Sequence, residues 1–384
     1  MTGTAPLAGV LVLDLTRVLA GPYCTMVLAD LGARVIKIEP PTVGDDSRHI
    51  GPFIKGKSAY FMSINRGKES IALDLKAPAD RAIFEKLLGV ADVLVENYRG
   101  GTMEKLGYGW ETLHPRFPRL IYAAASGFGH TGPYKARAAY DMVVQGMGGI
   151  MSLTGHPGSP PTRVGTYVGD ITAGLFTTIG INAALFERSR TGLGRKIDVG
   201  MLDCQIAILE NAIARYFSTG QIPGPLGARH PSITPFEAFK TGDGWMIIAA
   251  GNDGLFRKLA DALARADLVD NALFSNNDLR TKHAAALKAE IEQALAARGT
   301  AEWLTLIDLA GVPCGPINDV AQALADPQIR ARNMVVAVDD PDVGQLRMAG
   351  NPIKISDAND PATRRPAPAL DADRQRILRE FGLG

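Results

Sequence analysis

The stretch Gly165–Gly174, GTYVGDITAG, sets one carboxylate, Asp170, among glycines, threonines and apolar residues at the predicted entrance to an apolar helix. Two chemistries suit an acid there. As an N-cap it would accept hydrogen bonds from free amides of the first turn and favour the positive end of the helix. As a nucleophile it would be held ionised by the same amides and aimed at a substrate. Gly165 and Gly169 would then admit a bulky substrate without a Cβ clash. The stretch by itself leaves both readings open.

Other candidates are weaker. Gly127, Gly129 and Gly132 in GFGHTG have dinucleotide-fingerprint spacing after a predicted strand, but Pro133 and Tyr134 follow where a helix would have to open on a pyrophosphate. No nicotinamide or flavin site is expected. The junction TRVLAGPYC, with one glycine, fails the same pattern. The six histidines lack metal-ligand spacing to one another or to a cysteine, so no metal is expected, and His130 and His230 read as loop residues. Ser126 in AASGF lacks the glycines of a nucleophile elbow. Loop cations remain, among them Arg17, Arg48, Arg99 and Lys105, each a solvated surface charge by default.

The elements that must position these groups follow from length and periodicity. A chain of 384 residues, 46% hydrophobic, can form two domains with substantial cores. Its 41 basic and 40 acidic residues nearly cancel, which points to a small-molecule partner rather than nucleic acid or a membrane surface. The start, MTGTAPLAGVLVLDL, has no basic region before its apolar run and does not read as a signal peptide, and no continuous apolar stretch approaches the roughly twenty residues of a membrane span. Cys24, Cys204 and Cys314 are too far apart for a disulfide framework or a zinc site, so a reducing cytoplasm is the expected compartment.

From residue 10 to residue 39 the pattern is strand, helix, strand: VLVLDL, AGPYCTMVLADLGA, VIKIE. Further apolar runs at 70–75, 92–97, 120–126 and 196–201 alternate with helical stretches, which predicts an α/β fold with a parallel sheet covered on both faces. The helix after Asp170, with Leu175, Ile179 and Phe186, has a composition that suits burial. Gly and Pro enrichment from about 218 to 245 marks passage into a smaller domain, with predicted helices at 253–264, 283–298 and 301–310 and a turn-rich return, GVPCGPIND. The expected domains are therefore 1–217, 218–325, and 326–384 returning to the first. Within the last, DANDPATRRPAPAL reads as a tether and DADRQRILREFG as a terminal amphipathic helix.

The segments LDLTRVLAGP, LGARVIKIEPP with GDDSR, INRGKESIALDLK, VENYRGGTMEKLGY, SGFGHTGPY, RAAYDMVVQ, TGLGRKIDV and GVPCGPIND together resemble family III CoA-transferases, the CaiB/BaiF group, from about residue 5 to residue 355. The resemblance implies a large Rossmann-like domain plus a smaller α/β domain, in a homodimer of two ring-like subunits threaded through each other. It also implies that Asp170 in VGDITAG is the nucleophile, with a coenzyme A thioester as substrate and no tightly bound cofactor. Arg17, Val18, Leu19 and Ala20 would line the thioester end, Asn97, Arg99 and Lys105 would hold the nucleotide and phosphates, and Tyr140 and Asp141 would lie near the reacting acyl group.

The sequence departs from the formyl-CoA:oxalate enzymes at three points. Leu19 replaces a glutamine, Pro40 replaces an arginine near the adenine, and GARHPSITPFEAF lacks their glycine-rich lid, so oxalate is not the expected acceptor. The look of LDLTRVLAGP, RHPSITPFEAFKT and GPIND is closer to enzymes that move CoA from succinyl-CoA to a dicarboxylate such as glutarate, whose distal carboxylate Arg17 or Arg48 could pair. The alternatives are an α-methylacyl-CoA racemase, whose histidine base is here replaced by Tyr140, a phenol too weakly basic for the task, and a CoA-binding protein without turnover.

Overall fold

The computed structural model describes residues 5–383. Six apolar runs become the strands β1 (Leu11–Asp14), β2 (Arg34–Glu39), β3 (Glu69–Ala72), β4 (Val93–Glu96), β5 (Ile121–Ser126) and β6 (Lys196–Gly200). They form one sheet in the order β3-β2-β1-β4-β5-β6, with every pairing parallel. Successive side chains on a strand point to opposite faces, so neighbours in sequence enter different cores. Val12, Val35, Val93 and Ile121 meet Cys24 and Leu28 of α1 (Ala20–Asp30) on one face. Leu13, Ile36, Ile71 and Leu94 meet Phe84, Leu87 and Leu88 on the other. Burial on both faces is why the inner strands are largely apolar.

The strand order reverses between β1 and β4. In such a sheet the connections leaving the carboxyl ends of these two strands diverge and open a crevice, the usual ligand site of a doubly wound fold. The residues that follow β1 and β4 are Leu15–Leu19 and Asn97–Arg99.

The chain divides into two compact units. The first holds the large sheet and consists of Met1–Ser152, Arg163–Pro223 and Asp326–Gly384; the second consists of Leu153–Thr162 and Gly224–Ala325. In the second unit β7 (Phe236–Lys240), β8 (Trp245–Ala249) and β9 (Cys314–Pro316) form an antiparallel sheet. Its core joins Phe239, Met246 and Ile248 to Leu259, Leu287, Ile291 and Trp303 of the three helices expected there. Residues 153–162 join this unit where Gly227 N–H donates to the Gly155 carbonyl at 2.8 Å.

Three local expectations are corrected. GVPCGPIND is not wholly a turn, because Cys314–Pro316 completes the antiparallel sheet. The expected tether, 357–370, is pinned: β12 (Thr363–Arg364) pairs with β10 (Val335–Asp340), which also pairs with β11 (Gly344–Ala349), and Ala367 packs on Phe61 and Met62. Its apolar partners come from distant segments, which composition cannot reveal. The third concerns α3 (Val168–Thr191), which exposes Leu175 (41%), Ile179 (62%) and Phe186 (66%) and instead buries Ala173, Gly174, Thr177, Thr178, Ile181 and Ala184. Small residues are needed on that face because α1 comes close: a Cβ on Gly174 would lie 2.7 Å from the Ala20 carbonyl oxygen. With its 24 residues, α3 also meets the length and composition of a membrane span, which the expected absence of such a stretch overlooked.

Beneath the crevice lies a buried ionic network. Asp14, at the end of β1, accepts hydrogen bonds from Thr16 N–H (2.9 Å), the Thr25 hydroxyl (2.7 Å) and Lys68 Nζ (3.0 Å). Lys68 also donates to the Asn65 side chain and the Pro22 carbonyl. Lys37 pairs with Asp45 at 2.8 Å and donates to the Thr16 carbonyl at 2.7 Å. Burial opposes the charge on Asp14, but Lys68, Lys37 and the threonine hydrogen bonds outweigh it and hold its carboxyl well below the usual range. Burial likewise pushes Lys68 down to about 8, against the pull of Asp14.

Removing one partner of such a pair strands the other charge in the interior. Lys68→Met is therefore expected to destabilise the fold by about 3–5 kcal/mol in denaturant unfolding; a loss below about 1 kcal/mol, the scale of an exposed pair, would contradict the role given to Lys68.

Candidate active site

A cavity of about 160 Å³ occupies the crevice and is lined by Arg17, Val18, Ala20, Asn97, Arg99, Tyr140 and Asp170, together with Asp46, Tyr98, Arg137 and Met201. The β1 loop is held at each turn. Arg17 N–H donates to the Asn97 side-chain oxygen at 2.9 Å, and the Asn97 amide donates back to the Arg17 carbonyl at 2.7 Å. Val18 N–H donates to Asp45 at 3.0 Å, and Val18 has φ +66°, left-handed backbone that a β-branched residue adopts only when its surroundings impose it. So constrained, the loop brings the backbone N–H of Ala20, the first residue of α1, to the Asp170 carboxylate.

Asp170 is the third residue of α3 and not its cap. Asp141, the first residue of α2 (Asp141–Met147), does the capping from a neighbouring helix: its Oδ1 accepts Gly169 N–H at 2.8 Å. Its Oδ2 accepts the Gln145 amide at 2.7 Å, and Gln145 Oε1 accepts Val164 N–H at 2.9 Å, which ties down the approach to α3. With the cap supplied by Asp141, the acid at 170 faces the cavity. The expectation that the helix field keeps it ionised is corrected, because burial first and the negative Asp141 second push its carboxyl up to about 7, against the Ala20 N–H. Its charged form is therefore disfavoured near neutral pH.

Gly169 has a different reason from the one expected. A Cβ there would lie 2.7 Å from Val144 Cγ2 and 3.0 Å from Asp141 Oδ1, so the missing side chain lets α2 pack against α3, whereas Gly165 faces open space.

Among the other expected site residues, three lie away from the cavity wall. Leu19 is buried, with its side chain outside the lining. Lys105 is exposed on the helix Thr102–Leu106. Arg48 is engaged elsewhere: two 2.7 Å hydrogen bonds join it to the buried Glu39, it stacks 3.8 Å over the Phe61 ring, and it lines a separate cavity. It is not free to hold an acid beside Asp170. Arg17 is freer, since its 3.1 Å pair with Asp46 joins two half-exposed side chains and is correspondingly weak.

Sequence reasoning missed Asp46, Tyr98, Arg137 and Met201 on the wall, and Tyr60, whose phenol is raised by burial and then by the negative charge of Asp170. Arg137 stacks over Tyr134 at 4.5 Å and Phe128 at 5.3 Å. It stands three residues before Tyr140 in RAAYDMVVQ, and only its cation beside a candidate site could have drawn attention to it.

The model of CoA-transferase family III matches residues 7–374. The acetyl-CoA:oxalate CoA-transferase of Acetobacter aceti is 48% identical, over 98% of this chain and 96% of that protein. The succinate–glutarate CoA-transferase of Agrobacterium fabrum is 40% identical over the same shares. A CaiB/BaiF family protein from Brucella suis superposes with a TM-score of 0.86 at 40% identity, over 98% of this chain and 100% of that one. Related along nearly its whole length in sequence and in fold, the chain belongs to CoA-transferase family III.

Proposed function

We propose that this enzyme moves CoA from succinyl-CoA to a dicarboxylate such as glutarate, with Asp170 as the covalent relay. The observation that carries the reading is the division of work between two acids: Asp141 caps α3, and Asp170 is left facing the crevice beside a single backbone N–H. The Asp170 carboxylate attacks the thioester carbonyl, which forms a mixed anhydride and expels CoA thiolate. The thiolate then attacks the Asp170 carbonyl of the anhydride, which gives an aspartyl-CoA thioester and releases the donor acid. An acceptor carboxylate attacks that thioester and forms a second anhydride, and the expelled thiolate attacks the acceptor carbonyl, leaving new acyl-CoA and free Asp170. A thioester is exchanged for a thioester, so no ATP enters.

Ala20 N–H, at the positive end of α1, is suited to the oxyanion of each tetrahedral intermediate. Asn97, Arg99 and Arg137 suit the nucleotide and phosphates, and Arg17 suits the distal carboxylate once it leaves Asp46. CoA thioester is substrate here, with no resident cofactor proposed. A second reading, transfer from acetyl-CoA to oxalate, is favoured by the relative of that name at 48% identity. The partner proposed for the exposed apolar residues Leu175, Ile179 and Phe186 on α3, and Met142 and Met147 on α2, is a second copy of the chain. Three free cysteines support a reducing, cytoplasmic compartment.

Incubation with succinyl-CoA followed by peptide mass analysis should find CoA or acyl mass on the Asp170 peptide. Asp170→Asn should lose both the adduct and at least about a thousandfold of the exchange rate against glutarate, oxalate and mesaconate; exchange retained in the variant overturns the relay. Because only the ionised acid attacks, kcat/KM should fall as pH drops through about 7. Asp141→Asn, which removes the adjacent negative charge, should move that midpoint downward, and an unmoved midpoint would count against Asp170 as the titrating group. Light scattering should report about twice the 40.9 kDa chain mass, and a monomer at assay concentration would remove the dimer from the proposal.

A further inference from the structure

Glu96 closes β4, and His130 lies in the GFGHTG loop beyond β5. The sequence context suggests a loop histidine, yet its side chain is only 4% exposed and neither ring nitrogen meets a partner in good hydrogen-bond geometry. Its Nε2 stands 3.4 Å from Glu96 Oε1. Glu96 is itself fully buried and holds the turn after β4, with one oxygen accepting Tyr98 N–H at 2.7 Å and the other accepting the Tyr122 hydroxyl at 2.9 Å. Asp198 and Lys196 on β6, Glu104 on the helix Thr102–Leu106 and the Tyr98 backbone also act on the imidazole. Burial pushes the Glu96 carboxyl up to about 7 and the His130 ring below its ordinary value, so neither is forced to carry a full charge in the interior.

Each partner leads into a different wall of the cavity. Glu96 positions Tyr98, between Asn97 and Arg99 on one wall. The backbone N–H of His130 is held by Asp198 at 2.9–3.0 Å, and its loop continues to Arg137 and Tyr140 on the other wall. A second tie between the walls is already made, from Gly100 N–H to the Lys135 carbonyl at 3.1 Å. A buried imidazole whose nitrogens lack well-formed hydrogen bonds is unfavourable, and a closure of about half an ångström would give Nε2 one to a buried carboxyl. Arg99 stands on one wall and Arg137 on the other, so a phosphate-bearing ligand that paired with both would favour such an approach.

We propose that His130 is a positioning residue for the CoA ester: on binding, its Nε2–H closes onto Glu96 Oε1 and latches the Asn97–Arg99 wall to the Arg137–Tyr140 wall. The latch rests on the reading that this cavity takes CoA. Closure and binding favour each other, so a protein that cannot make the bond binds CoA more weakly.

Calorimetric titration of the full chain with CoA tests it, with melting temperatures recorded alongside. His130→Asn, whose amide is too short to reach Glu96, and His130→Leu should each weaken CoA binding about tenfold. His130→Gln, whose amide can reach, should bind within about threefold of the parent. Should His130→Leu fail to fold, the Asn and Gln variants carry the comparison. Asn binding as well as the parent, or Gln as poorly as Asn, overturns the latch and leaves the transferase reading standing. A parent protein that binds no CoA overturns the CoA reading and the latch together.

Discussion

The site depends on charges that the fold has taken out of water. Asp14, Lys68, Lys37 and Asp45 are each nearly or fully buried, and each is paired. A lone buried ion would be untenable, so the network tolerates few arrangements. Its members reach the loop after β1 from three directions: Asp14 holds Thr16 N–H, Lys37 holds the Thr16 carbonyl and Asp45 holds Val18 N–H. A loop fixed in this way can keep Val18 in left-handed backbone and present Ala20 N–H to Asp170 without reorganising when charge develops there.

The second requirement is that two neighbouring acids behave differently. Asp141 accepts two short hydrogen bonds, one of them from an amide at the positive end of α3. Asp170, one residue beyond that amide, has burial and the charge of Asp141 working against its ionisation. A carboxylate that is costly to ionise is also a better nucleophile once ionised than one pacified by several donors. In the proposed relay the same juxtaposition would make the residue reactive and its activity dependent on pH near neutrality.

Helix α3 serves two purposes at once, which explains its unusual sequence. Its inner face must be small, because α1 packs within van der Waals contact of Gly174, and its outer face carries Leu175, Ile179 and Phe186. Apolar residues all round a helix ordinarily signal burial in the same chain. Here the outer face is open within the chain, a pattern consistent with burial by another copy.

Much of the fold was legible from pattern alone. The strands of the large sheet are mostly apolar runs bounded by polar or glycine-rich segments, and burial on both faces of the inner strands makes such runs stand out, whereas the edge strand β6 is partly exposed. Asp170, Arg17, Asn97, Arg99 and Tyr140 could be nominated from motif order, and they line one cavity. Sequence could not apportion roles that depend on distance. Asp170 and Asp141 both stand at helix starts, and only the crossing of α2 against α3 decides which one caps. Arg48 and Arg17 are both loop arginines, and only the placement of Glu39 makes one of them structural. His130 reads as a loop residue until the sheet buries it beside Glu96. Local periodicity reports which residues leave water, while hydrogen bonds and ion pairs across tens to hundreds of residues decide what each polar group is left free to do.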